Sequence, residues 1–390
     1  MRKRPVLALF AAAAALLLVG AQPALANKGH GHGHGNGNGN GNGHGNGSMP
    51  VVFVQLNQPS GNAIAVYDRA GNGQLTLAGT YPTGGLGGTA SPGTESDRLA
   101  SQGSLAYVAH GHTLIAVNAG SDTVSTFKVK GDTLQLKGVV ASGGQFPASI
   151  AVHHKLVYVL NSGGTGIVQG FRLHGHRLVA IPGSARSLGL ANGDPPDFLT
   201  APGQVGFTPD GRKLIVTTKV SGSNIDVFQV GHDGRLSATP VVNPSATPVP
   251  FAFTFGPLGR LVSGEAGTSS VTTYRIDPSG TLSDPKSQSD GQMALCWILR
   301  VHGFYYVSNT ASNNLSSFTI DSTGQPTLLN AVAATTNPGP IDLAASGHFL
   351  YAETGSTATV DEFQIMSDGS LVPIGSVTGL PPGIEGIAAK

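Results

Sequence analysis

From residue 50 onward the chain is a succession of short apolar runs, rich in Val, Ile, Phe, Tyr and Thr and bounded by Gly, Asn, Asp and Pro. That is the pattern of strands, not of helices. The runs also recur. An aromatic anchor in an alternating strand returns as Tyr67, Phe127, Phe171, Phe228, Tyr274, Phe318 and Phe363. Each anchor is followed by a turn with Gly and then by Leu, from Gly73 with Leu75 to Gly369 with Leu371. Ahead of each anchor lies an apolar run ending in a polar residue, as in Leu156 to Asn161 and Phe304 to Asn309. Ahead of that comes one that often opens on Pro, such as Pro147 to Val152 and Pro340 to Ala344. Four strands per repeat and about 49 residues per repeat match a propeller blade.

The periodicity therefore predicts an all-β fold over residues 50–390, a seven-bladed β-propeller of four-stranded antiparallel blades. The first repeat has only three strands, near Val51 to Leu56, Ala63 to Asp68 and Gln74 to Thr80. Its missing inner strand is expected from Gly383 to Ala388, pairing beside Val51 to Leu56 and closing the ring, since closure removes long exposed edges.

Two repeat spacings are unusually long, and both excesses fall in loops from an outer strand to the next inner strand. Tyr81 to Leu99 carries Glu95 and Asp97; Pro182 to Pro202 carries Arg186, Asp194 and Asp197. Both insertions decorate one rim, here called the top. The ends of the second strands fall there too: Asn57, Asn118, Asn161, Lys219, Glu265, Asn309 and Thr354. Long loops on a rigid scaffold are where binding and chemistry concentrate, so the top rim is the candidate site. The acidic residues of the insertions match no compact calcium loop, and read as loop solubility.

Composition adds exclusions. With 22 Lys plus Arg against 21 Asp plus Glu and only 11% charged residues, nothing in the overall balance points to nucleic acid or an anionic membrane. Cys296 is the one cysteine, which excludes intrachain disulfides and Cys-based zinc modules. Residues 1–26 run from Arg2, Lys3 and Arg4 through an apolar stretch, Val6 to Val19, to Ala24-Leu25-Ala26. This is the order of a secretory signal peptide, too short to span a bilayer. Residues 27–49 alternate Gly with His or Asn and have nothing to bury, so they read as a disordered tether. Its imidazoles, His30, His32, His34 and His44, offer weak metal chelation without a specific site. The expected product is a secreted monomer with no cofactor.

Three segments resemble a known family, the lactonase-type seven-bladed propellers that include 6-phosphogluconolactonase and the carboxymuconate lactonising enzymes. They are Phe207-Thr208-Pro209-Asp210-Gly211-Arg212-Lys213-Leu214, Glu265-Ala266-Gly267-Thr268-Ser269-Ser270-Val271, and Tyr306-Val307-Ser308-Asn309. The second is similar to the family's Asn-Glu-Leu-x-Ser-Thr-Val segment and places Glu265 on its acidic position. The resemblance implies a propeller acting on a lactone, with Glu265 as general acid or base. Several family positions differ. Ala148 follows Pro147 and Gly203 follows Pro202 where the family carries His after Pro, Ser223-Asn224-Ile225 replaces Asp-Arg-Val, and Pro340-Ile341 replaces Pro-Arg. The missing basic groups argue against an anionic sugar phosphate.

Two functions remain open from sequence. One is an exported enzyme hydrolysing or isomerising a lactone or other cyclic ester, with Glu265 catalytic and Lys219, Gln204, Asn161 and Asn309 binding substrate. The other is a non-catalytic propeller whose top rim binds a protein or glycan. Either accommodates a small neutral molecule. His110-Gly111-His112, His153-His154 and His174-Gly175-His176 fall in turns and read as exposed histidines; Cys296 and Trp297 read as core or channel lining of the sixth blade.

Overall fold

A computed structural model describes residues 50–91 and 96–390. The signal-peptide and tether readings, with His30, His32, His34 and His44, lie outside the described residues, as does Glu95. The described chain folds into seven antiparallel sheets arranged as the blades of a propeller. Each runs inner, second, third and outer strand in chain order, apart from the first. The outer strand of blade 3 is split into Arg177–Ala180 and Arg186–Ser187, both paired with Ile167–His174.

Ring closure follows the sequence pattern. The C-terminal strand Ile387–Ala389 is the inner strand of blade 1 and pairs antiparallel with Val51–Gln55, with Phe53 opposite Ala388. The aromatic anchors are buried, and each clustered anchor packs against the preceding blade. Phe171 lies with Ile115, Val117 and Val124 of blade 2, Phe228 with Tyr158 and Leu160 of blade 3, and Tyr67 with Tyr351 and Val360 of blade 7. A two-residue strand period turns one apolar set to each neighbouring blade, so each sheet is sandwiched and its core residues have no solvent face.

The repeated turn glycines have a cause in the same joints. Tyr158, Tyr306 and Tyr351 on second strands donate their hydroxyls to the carbonyls of Gly234, Gly369 and Gly73 in the next blade, at 2.8, 3.0 and 2.7 Å. Gly73 has φ +91°, and a Cβ there would collide with the Phe349 ring. Only glycine satisfies both the left-handed backbone and the close approach.

Register shifts interrupt the inner strands of blades 3, 5, 6 and 7, at Ala148, Phe251-Ala252, Cys296-Trp297 and Ile341-Asp342. Such bulges re-aim side chains. Here they turn Phe251, Trp297 and Asp342 toward the groups that close the top of the ring.

Candidate active site at the axial strap

The two insertions meet, as their common rim required. Ser91 pairs with Asp197, the Ser91 amide donates to the Pro196 carbonyl at 2.8 Å, and the Phe198 amide donates to the Ser91 carbonyl at 2.9 Å. From the first insertion, residues 97–102 form a strap touching blades on opposite sides of the ring. Ser101 Oγ donates to the Ala148 carbonyl of blade 3 (2.8 Å), and Trp297 Nε1 of blade 6 donates to the Ser101 carbonyl (3.1 Å). The Gln102 side chain clamps the Ile298 backbone of blade 6 at both ends, donating through Nε2 at 3.1 Å and accepting through Oε1 at 3.0 Å. Backbone groups freed by the inner-strand bulges thus find partners in the strap.

Titratable groups converge on the strap. Glu385, just before the closing strand, accepts the Leu99 amide at 2.6 Å. Asp97 accepts the Ala100 amide at 2.7 Å and is hydrogen-bonded to Glu385. Burial raises both carboxyls, Glu385 well above its ordinary value, where the charge of Asp97 and the hydrogen bond to it push the same way. Glu353 Oε2 accepts the Gly386 amide at 2.8 Å; burial and the neighbouring Asp342 push its carboxyl well up. Burial lifts Asp342 to about 7, although backbone amides of Leu343, Gly103 and Ile387 stabilise its charged form.

Lys219 is the cation of this group. It follows the second strand of blade 4 with φ +48°. Its Nζ donates to the carbonyls of Ala100 (2.7 Å) and Phe198 (2.8 Å), one from each insertion, and lies 4.9 Å and 5.1 Å from the ring centres of Phe251 and Phe198. Burial lowers it to about 8, against the raising effects of Asp97, Cys296, Glu385 and Asp197. Asp97 and Lys219 are each 2% exposed and Glu385 1%. The reading of Asp97 as a solubilising loop residue is therefore corrected: backbone amides of the strap and the Glu385 carboxyl draw it inward. Asp197 does stay in its loop, capping the Leu199 and Thr200 amides at 2.9 and 3.1 Å.

The other residues singled out from sequence sit elsewhere. Glu265, Asn161 and Asn309 occupy the same repeat position, the last residue of the second strand, and all three are fully buried. Asn309 Nδ2 donates to Asn314 Oδ1 and Ser316 Oγ at 2.8 and 2.7 Å, holding the hairpin to the third strand. Asn161 Nδ2 donates to the Ser142 and Ile167 carbonyls. Glu265 accepts hydroxyls from Ser245 (2.7 Å), Tyr274 (2.6 Å) and Thr272 (3.0 Å), bridging blades 4 and 5; burial lifts it to about 7. Gln204 accepts the Phe253 amide at 2.6 Å, pinning blade 4 to the bulge of blade 5. Of the five, Lys219 alone enters the axial cluster. No group of three or more metal-ligating side chains is suitably placed among the described residues.

No protein-family model and no curated protein sequence matches the chain. Solved structures do. A protein from Lactobacillus plantarum superposes with TM-score 0.69 at 18% identity, covering 88% of this chain and 99% of its own. A protein assigned as a 6-phosphogluconolactonase from Bacteroides fragilis gives 0.67 at 16% identity, over 90% and 100%. The periplasmic gluconolactonase of Pseudomonas aeruginosa gives 0.65 at 17% identity, over 87% and 99%. In fold, this chain is a seven-bladed propeller like these structures.

Within this propeller, sequence reasoning passed over Glu353, Asp342 and Glu385. Each lies in or beside an apolar run that reads as core, and a lone acid there was the available signal. Glu353 interrupts Phe349–Thr354 and Asp342 interrupts Pro340–Ser346. A carboxyl in a buried strand is costly unless it is paired or protonated, which makes such interruptions worth pursuing.

Proposed function

We propose that the protein is an exported lactonase-like hydrolase acting on a neutral lactone or other cyclic ester at the axial strap. Asp97 and Glu385 serve as its acid–base pair and Lys219 as its cation. The observation that carries this reading is the convergence of five buried titratable groups on one place. Four carboxyls around a single ammonium are a poor structural solution, since burying charges generally costs more than it returns. Perturbed groups gathered in this way mark functional sites.

In this reading Glu385 carries the proton of the pair and Asp97 is ionised. The ionised Asp97 takes a proton from water as the water oxygen attacks the lactone carbonyl. The Lys219 ammonium, held in a low-dielectric setting, stabilises the developing oxyanion. On collapse, the carbonyl carbon to ring oxygen bond breaks and Glu385 returns a proton to the departing oxygen, giving a hydroxy acid. Substrate reaches these groups only when the part of the strap beyond Asp97, residues 98–102, moves aside. Glu265 belongs to the joint between blades 4 and 5 and supports the scaffold in this reading.

One observation favours a second reading. The strap and the second insertion engage Lys219 through two carbonyls, and the strap covers the pair, as expected of a propeller that binds a protein or glycan on its top rim without chemistry. A panel of neutral lactones assayed with the full chain, Asp97→Asn, Glu385→Gln and Glu265→Gln separates the two. Turnover lost in the first two and retained in the third supports the hydrolase. No turnover by the full chain on any lactone favours the binding module, and turnover lost only in Glu265→Gln returns the chemistry to that residue.

A further inference from the structure

The face opposite the insertions carries an asymmetry that the axial reading leaves unused. In blades 5, 6 and 7 the turn from third to outer strand carries an Asp, at Asp277, Asp321 and Asp368, which folds back onto its own turn amides. In blade 2 the corresponding turn carries Lys130 beside Asp132, and in blade 3 it carries His174-Gly175-His176 with no acid. From residue 105 to 180 the cations Lys128, Lys130, Lys137, Lys155, Arg172 and Arg177 stand against Asp122 and Asp132 alone. The net charge of the chain, only +1, conceals this sector.

Within it, four groups from adjacent blades are brought together. Thr113 Oγ1 is hydrogen-bonded to His176 Nδ1 at 2.8 Å, across the joint between blades 2 and 3. Tyr107 Oη is hydrogen-bonded to His112 Nδ1 at 2.9 Å. With each Nδ1 engaged by a hydroxyl, each ring orientation is fixed and each Nε2 is left for another partner. Lys128 of the third strand stands directly opposite Thr113 in the blade 2 ladder, so it shares the face on which Thr113 meets His176. The charged groups acting on His176 are this Lys128, Lys137 of the outer strand and His112 of the inner turn. All are cationic, and with burial they push the imidazole below its ordinary value. Lys128 and His112 are exposed, and His176 and Lys137 are half-buried.

We infer that His112, His176, Lys128 and Lys137 form a binding site for an oxyanion of the sulfate or phosphate type, at the lower joint of blades 2 and 3. Two ammonium groups and two oriented imidazoles supply donors only, once the rings are protonated. No carboxylate is among the groups acting on His176, so like charges gathered there gain by admitting an anion. The two lysines disfavour the competing occupant of a histidine pair, a transition-metal cation. The anion can be free in solution or carried as an ester on a glycan; the chemistry recognised is the same.

The site is tested by following the imidazole proton resonances of the full chain during titration with inorganic sulfate, which does not titrate in this range, at constant ionic strength against chloride. Binding is expected to move the resonances of His112 and His176 and to raise the midpoint of His176. The affinity is expected to be tighter at about pH 5.5 than at about pH 7.5, by up to about tenfold per pH unit for each proton taken up. Lys128→Ala with Lys137→Ala, both away from the core, is expected to weaken binding about tenfold or more with thermal stability unchanged. His302 and His348, stacked at 4.8 Å between blades 6 and 7 on the same face, are the internal control. Equal shifts at all four histidines, no response to sulfate, or binding indifferent to the lysine pair would each overturn the proposal. A sulfated hexasaccharide forms the second arm. Tighter binding than inorganic sulfate, lost in the same variant, assigns the anion to a glycan; equal binding assigns it to the free ion.

Discussion

The Lys219 ammonium donates to the Ala100 carbonyl at 2.7 Å, 119 residues away in the chain. A blade-4 residue thereby holds the strap that arises between blades 1 and 2. The same nitrogen holds Phe198 of the second insertion, so one side chain joins both long loops.

Lys219→Met is expected to cost about 3–5 kcal/mol, because it keeps the apolar stem and leaves Asp97 and two carbonyls without their buried cation. Chemical denaturation checks the magnitude. A loss below about 1 kcal/mol, the range of exposed pairs, would mean that the ammonium is not buried as described.

The buried carboxyls set the direction of the pH dependence. Asp342 and Glu265 titrate near 7 and Asp226 near 6 in the folded chain, against about 4 when unfolded. Between those values the folded protein holds protons that the unfolded chain has released. This contribution is fully present below about pH 4 and is lost as the pH rises through 6 and 7. Lys219 acts in a different window. Its folded value of about 8 lies below the ordinary 10.5, so the unfolded chain binds more protons between the two and stability recovers as the pH climbs through that interval. Denaturation midpoints are therefore expected to be higher near pH 5 than near pH 7.5, and a profile rising from 5 to 7.5 would contradict the assignment.

Glu265→Ala leaves three hydroxyls of the blade 4 and blade 5 joint without an acceptor and is expected to cost about 3 kcal/mol, whereas Glu265→Gln is expected to cost about 1 kcal/mol. Both figures come from the same denaturation experiment. A Gln variant as unstable as the Ala variant would show that the negative charge, and not the acceptor, holds the joint.

Two glycines with left-handed backbone separate strain from collision. Gly131, with φ +62° and open space around it, is expected to lose about 1 kcal/mol as Gly131→Ala. Gly73→Ala adds a collision with Phe349 at the seam between blades 7 and 1, and is expected to lose about 3 kcal/mol or more. Similar losses in the two would remove the steric argument for the repeated turn glycine.

The anchors test the blade joints themselves. Phe171, 1% exposed among blade-2 residues, is expected to cost about 3–5 kcal/mol as Phe171→Ala, read as a lowered denaturation midpoint at unchanged slope.

The fold was legible because its determinants are local and repeated. Tyr67, Phe171 and Phe363 carry the same pattern in their own strands, and Gly73 and Gly369 the same turn. Even the closing strand could be placed, since three strands near Val51 leave one partner missing. The site was less legible. Lys219, Glu265, Asn161 and Asn309 share a sequence context at the ends of second strands, yet Lys219 lies two residues beyond Thr217, the last ladder position of its strand, in a left-handed conformation. There its side chain turns to the axis while the others turn into the joints.

Sequence alone determined the number of blades, their anchors, the closure of the ring and the rim that carries both insertions, because alternation and turn chemistry act over a few residues at a time. Tertiary structure decided which side chains meet. Asp97, Lys219, Asp342, Glu353 and Glu385 are far apart in the chain and share no motif. They are gathered because a closed ring brings its inner strands to one axis, where bulges and a crossing strap replace water as the partners of buried polar groups.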